Sequence, residues 1–243
     1  PLVGVRYLAL RDLSGLPADD TQVLEARRKA HQSGEIARVL TGMDPQGFWE
    51  EAGAGYRPKY RSTVWALILL AQLGARVEED ARIARGCDYL LEHALTHNGH
   101  FSTTGTPSTT IDCLQGNLCW ALMELGVDPA RLEKAYEWMA RTVTGEGLAP
   151  KEEPTAPLHY YAYKCGPGFA CGANYGQPCA WGAAKVMRAF GRWPKERRSL
   201  LIEEAIMQGV EFLLSVDPAT AAYPSGNNAN PSGNWWKFGF PLF

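Results

Sequence analysis

The strongest chemical signal in the chain is a loop at residues 165–179 (CGPGFACGANYGQPC), which places Cys165, Cys171 and Cys179 among glycines and prolines. Such a loop has too little apolar surface to order itself. Thiolates are zinc ligands, thiol pairs form disulfides, and an unreacted cysteine packs as a small apolar group. The spacing matches no standard zinc finger or ribbon, so all three readings stay open. A fourth cysteine, Cys113, opens an apolar helical run, and Cys179 opens another. A helix N-terminus favours the thiolate through its dipole. The expectation is a zinc site of Cys113, Cys171 and Cys179 with Cys165 as fourth ligand, and with Asp112 or His159 as alternatives to Cys165. Four thiolates would close a structural site, whereas three would leave an open catalytic position. Cys87 and Cys119 fall on apolar helix faces and read as core. Cys119 lies six residues beyond Cys113, about 240° around a helix, so the two do not share an ion.

The elements that must position these thiols are helices. Residues 6–13 and 21–40 carry helical spacing, with Asp19 or Asp20 placed as an N-cap. From residue 60 the chain becomes regular. Residues 62–73 are apolar almost all round and stop at Gly74, while residues 79–95 are apolar on one side only. The pair recurs as 113–125, stopping at Gly126, with 129–143, and as 179–190, stopping at Gly191, with 199–214. An all-apolar helix is surrounded by protein and a one-sided helix covers it. Three inner and outer pairs at a spacing of roughly 50–65 residues make a repeat architecture, and a fourth inner start follows at residues 235–243 (WWKFGFPLF). No stretch shows sustained strand alternation, so the fold class is all-α. Arg61 and Cys113 each lie 13 residues before a terminal glycine, and Cys179 lies 12 before Gly191. This register puts Cys113 and Cys179 on one rim if the inner helices stand side by side. Residues 1–43 read as N-terminal outer helices and 44–243 as the repeats, together in one domain.

A formal charge of −2 over 243 residues carries no basic footprint for nucleic acid or an anionic membrane. The basic stretch at residues 192–198 reads as a solvated turn between helices. No apolar run reaches the roughly 18 residues of a membrane span, so no integral membrane segment is expected. Six cysteines at uneven spacing suit a reduced, cytoplasmic protein better than a disulfide scaffold. Among the aromatics, Tyr160, Tyr161 and Tyr175 beside the cysteine loop, with Trp236, are the candidates to line an apolar pocket. Trp65, Trp120 and Trp181 fall within helices and read as packed. Asp112 is the carboxylate placed for catalysis. With Glu50 and Glu51 it would also permit carbohydrate chemistry by paired carboxylates.

Alternating buried and covering helices joined by glycine–aromatic turns resemble the α/α-toroid superfamily of terpenoid cyclases and protein prenyltransferases. Residues 44–49 (DPQGFW) look like the turn those cyclases repeat, and residues 98–101 (NGHF) are a fainter copy. More closely, residues 113–117 (CLQGN), the Cys171–Cys179 loop and residues 235–241 (WWKFGFP) resemble bacterial prenyltransferase/squalene-oxidase repeat proteins. The resemblance implies a toroid, or an open arc of one, binding an apolar and isoprenoid-like small molecule in a central cavity. The Asp-x-Asp-Asp acid motif of the cyclases is missing, and Asp112 and Cys113 are adjacent where the prenyltransferases have Asp-x-Cys. A helical-repeat scaffold with buried structural cysteines is the rival expectation.

Overall fold

The structure, a computed structural model, describes residues 2–150, 153, 159–160, 165–217 and 219–225. Among them the chain is helical: α1 (Val3–Asp12), α2 (Thr21–Gln32), α3 (Glu35–Thr41), α4 (Thr63–Gln72), α5 (Ala81–His93), α6 (Asp112–Leu125), α7 (Glu133–Thr144), α8 (Ala180–Arg192) and α9 (Leu200–Leu214). The described strands are a pair of two-residue parallel strands, β1 (Ala149–Pro150) and β2 (His159–Tyr160), beside isolated antiparallel bridges such as Leu95–Phe101. The all-α expectation therefore holds. No helix among the described residues is long and apolar enough to cross a membrane.

The chain forms two compact units. One comprises Pro1–His93 with Ala121–Val127, and the other comprises Ala94–Trp120 with Asp128–Phe243. Residues 1–43 thus belong to the same unit as residues 44–93. In the first unit α2 opens where the Asp20 carboxylate accepts from the Gln22 N–H. The periodic run 21–40 is two helices rather than one. It breaks at Gly34, whose φ of 84° is left-handed and costs a side-chain-bearing residue strain. Burial takes in nearly every residue of α4, as a helix apolar on all faces requires.

The two glycine–aromatic turns are copies of each other in backbone detail. In the first unit the Asp44 N–H donates to the Phe48 carbonyl and the Gly47 N–H to the Asp44 carbonyl. In the second, Thr96 donates to His100 and Gly99 to Thr96, 52 residues further on. Each turn then presents a buried aromatic anchor, Trp49 or Phe101. The anchor's N–H donates to a side chain of the following helix: Thr63 Oγ1 of α4 for Trp49 (3.1 Å) and Gln115 Oε1 of α6 for Phe101 (2.8 Å). A third turn keeps the first of these bonds, from the Gly166 N–H to the Ala170 carbonyl, and there the anchor position is taken by Cys171. The cysteine loop thus shares one backbone bond with those turns and places a thiol where they place an aromatic ring.

In the second unit, α6 and α8 lie against each other through glycine. A Cβ on Gly116 would fall 2.4 Å from the Lys185 carbonyl carbon, and one on Gly182 would fall 3.2 Å from the Asp112 Cβ. The Arg188 guanidinium stacks 3.4 Å above the Trp120 ring. Residues 112, 116 and 120 thus face 182, 185 and 188 in rising order, so the two helices run parallel. Tyr136 of α7 locks them from behind, its hydroxyl donating to the Ala189 carbonyl (3.1 Å) and its ring stacking on Trp193 at 4.1 Å.

Gly191 does not end α8, contrary to the sequence expectation. The helix runs through it to Arg192 and stops because Pro194 holds Trp193 extended. Nothing lies within 4 Å of a Cβ at Gly191. Gly191→Ala is therefore expected to stabilise the protein by about 0.5–1 kcal/mol, the usual penalty of glycine inside a helix. A shift of the urea midpoint to higher concentration would show it, and a shift the other way would return Gly191 to the helix end.

Candidate functional site

The N-terminal ends of α6 and α8 gather the chemistry. Asp112 and Cys113 form the first turn of α6, and Cys179 is the N-cap residue of α8. Gln115 holds the α6 start in place. Its buried amide accepts from the Phe101 N–H and donates to the Phe101 carbonyl (2.6 Å) and Thr110 Oγ1 (2.7 Å). The loop that carries Cys165 and Cys171 is pinned to the α8 start by the Cys171 N–H to Gln177 and the Cys179 N–H to Phe169. Phe169 and Tyr175 take left-handed φ values of 64° and 55°, a constraint that non-glycine residues accept only when their surroundings impose it.

All four predicted cysteines are brought together with Asp112. The Cys165 thiol donates to Asp112 Oδ1 at 2.6 Å, with both groups buried. Cys113, Cys179 and Cys171 are neighbours in that order. Cys179 couples electrostatically to Cys113 on one side and to Cys171 on the other. The Cys113 thiol is lowered by Cys179 and, further, by the positive charge of Lys185. Donation to Cys179, and then burial, push Cys171 up, although the backbone N–H groups of Ala173 and Asn174 favour its thiolate. Cys179 is raised by its donation to Cys113, against the lowering influence of Cys171 and the Gly182 N–H. Burial and the Asp112 charge hold the Cys165 thiol well above its ordinary value.

Asp112 itself is fully enclosed. Desolvation raises its carboxyl to about 7, against the opposing hydrogen bond from Cys165. Its second oxygen, Oδ2, has no hydrogen-bond partner among the described residues. A buried, half-satisfied carboxylate is costly, and such atoms accumulate where a proton or a ligand is handled.

Among the described residues no group of three or more His, Cys, Asp or Glu side chains is arranged to hold a metal ion. None of the six cysteines is in a disulfide. The nearby Cys119 is a core residue, as its apolar helix face implied; it is buried, and desolvation raises its thiol.

The aromatic candidates fare differently. Tyr175 follows a 3-10 turn and is 71 % exposed, so any pocket it lines is open to solvent. Trp65 and Trp120 are buried, but Trp181 is 40 % exposed, against the expectation that it packs. It sits one position from Gly182, whose side faces α6, and is turned outward by the helical rotation. Tyr160 belongs to β2 by its backbone. Tyr161 and Trp236, together with the side chains of Tyr160 and His159, lie outside the described residues. Glu50 pairs with Arg61 at 2.9 Å in the first unit, whereas Asp112 belongs to the second.

Sequence reasoning missed the Cys165–Asp112 bond and the glycine contact between α6 and α8. The adjacency of Asp112 and Cys113 was the available signal for the first. Gly116 and Gly182, near the starts of two apolar helices, were the signal for the second. No protein-family model matches the chain, and neither do the curated proteins or the solved structures compared with it.

Proposed function

We propose that the chain is an α/α-repeat protein of the prenyltransferase and terpene-cyclase type, with a zinc centre built from the thiols at its inner-helix starts and an apolar small molecule as ligand. One observation carries this reading. Four cysteines from two stretches far apart in sequence, the α6 start and the 165–179 loop, meet with one buried carboxylate at the parallel starts of α6 and α8. A scaffold that used its cysteines only as apolar filler would have no need to place thiols side by side with a carboxylate.

The donor chemistry fits zinc. Thiolates are its preferred ligands, and the backbone N–H groups toward Cys171 and Cys179 favour the thiolate form. Cys113, Cys171 and Cys179 would hold the ion. Cys165 or Asp112 would supply the fourth ligand, Asp112 through its unpartnered Oδ2. Bound zinc would supply Lewis acidity and thiolate stabilisation there. The repeated glycine–aromatic turns support the toroid or open-arc architecture, and the apolar ligand rests on that architecture.

The test is elemental analysis of the purified chain after zinc loading and desalting. About one zinc per chain is expected, falling to near zero in Cys179→Ser and staying unchanged in Cys119→Ala, whose sulfur belongs to the core. Equal zinc content in wild type and Cys179→Ser, or none in either, would remove the metal centre and leave the scaffold reading.

A further inference from the structure

We propose that the exposed apolar faces of α1 and α9 are the two halves of one interface, through which a second copy of this chain docks head to tail. Single exposed apolar residues are ordinary on a protein surface, whereas a contiguous apolar face marks an interaction site. Along α1 and the residues that flank it, Leu2, Ala9 and Leu13 follow at spacings of seven and four. Those spacings bring them within about 20° of one line down the helix. Leu2, Val5 and Leu13 are 58–83 % exposed. Val5, Arg6, Ala9, Leu10, Leu13 and Ser14 line a groove of about 510 Å³ there. On α9, Leu200, Met207 and Leu214 are seven residues apart and 61–90 % exposed, with Val210 exposed beside them. One face is grooved and the other is a ridge.

Charge decides which faces pair. α9 carries Glu203, Glu204 and Glu211 and no lysine or arginine in its 15 residues. By helical rotation Glu204 and Glu211 flank the ridge on one side and Glu203 on the other. Two α9 faces brought together would set carboxylates against carboxylates. On α1 the charge beside the apolar line is Arg6, four residues after Leu2. The acid that feels it, Glu25 of α2, is paired with Lys29 at 2.6 Å, and Asp12 of α1 is paired with Arg11 at 2.6 Å. The α1 face of one copy therefore complements the α9 face of another in charge as well as in shape. Such complementarity selects the partner and its register more than it adds affinity. A contact between two different faces is heterologous, so successive copies add as rings or chains.

The experiment is sedimentation velocity on the full chain, in chelator so that no metal bridges copies. It covers roughly 1–500 μM, the range in which a small interface associates. Wild type should associate as concentration rises, and added salt should weaken that association several-fold. Val5→Glu and Met207→Glu change exposed positions, so each should keep the circular dichroism and the zinc content of wild type. Each alone should associate at least about tenfold more weakly. An equimolar mixture of the two should recover a 1:1 complex, because one variant keeps its α9 face and the other its α1 face. Leu13→Glu and Leu214→Glu, further along the same two faces, replace either variant that misfolds. Association of either variant alone at the wild-type level would mean that like faces meet, or other surfaces, and would overturn the proposal. So would association that salt leaves unchanged. A chain that stays monomeric throughout, with these faces covered by its own residues or by a different protein, would overturn it too.

Discussion

Gly116→Ala is expected to destabilise the protein by about 2–3 kcal/mol, although alanine is the best helix former and glycine among the worst. The added methyl would lie 2.4 Å from the Lys185 carbonyl carbon, 2.6 Å from its oxygen and 2.6 Å from the Val186 nitrogen. Those atoms are backbone, so they cannot swing aside as the end of a side chain would. Accommodation means moving α6 away from α8, which costs packing along both helices. It also moves the α6 start away from the α8 start, so zinc uptake should fall with the stability. Urea denaturation of Gly116→Ala and Gly191→Ala gives an internal control, because one substitution in two helices of the same unit should move the midpoint in opposite directions. Two stabilised variants would mean that α6 and α8 do not touch at Gly116.

The second large effect is in the pH dependence of the metal-free protein, measured in the presence of a chelator. The Asp112 carboxyl is raised from 3.8 to about 7 because burial disfavours its charge. The folded state therefore holds a proton that the unfolded state has released. Its stabilising contribution is complete below pH 4 and is lost as pH rises through about 7, by up to about 4 kcal/mol at 1.36 kcal/mol per unit. His100 works in the opposite sense. Burial lowers it from 6.5 to about 4, against the raising effect of the Pro107 carbonyl, so its contribution is complete above pH 6.5 and is lost as pH falls through 4. Between pH 4 and 6.5 the two slopes oppose, and wild-type stability should be nearly flat. Asp112→Asn removes one of them. That variant should be more stable than wild type at pH 8 and should lose about 3 kcal/mol on acidification from pH 6.5 to 4. Guanidinium melts at pH 4, 5, 6.5 and 8 would decide it. A parallel pair of curves for wild type and Asp112→Asn would show that the carboxyl is not buried as described.

The thiol site was legible in its ingredients and in part of its geometry. Cys113 and Cys179 were placed together from the register of two helix starts, and the structure puts them side by side. One of the counts behind that register used Gly191 as a helix end, and Gly191 is interior. The conclusion survives because a helix start is marked locally, by the loop and proline before Cys179, whatever happens twelve residues later. The same locality explains the splitting of residues 21–40. Apolar spacing continued across Gly34, and only its left-handed backbone reveals the break.

What the amino-acid order determined alone is whatever depends on near neighbours. It set the 3.6-residue periodicity, the Asp20 cap, the glycine stops at Gly74 and Gly126, and the turns that carry Trp49 and Phe101. Which thiol faces a carboxylate, which tryptophan is exposed and which glycine touches another backbone are decided between residues far apart in the chain. Cys165 meets Asp112 across 53 positions, and Gly116 meets Lys185 across 69. No local pattern encodes such pairs, because they arise only when two helices settle at the distance their smallest facing residues allow.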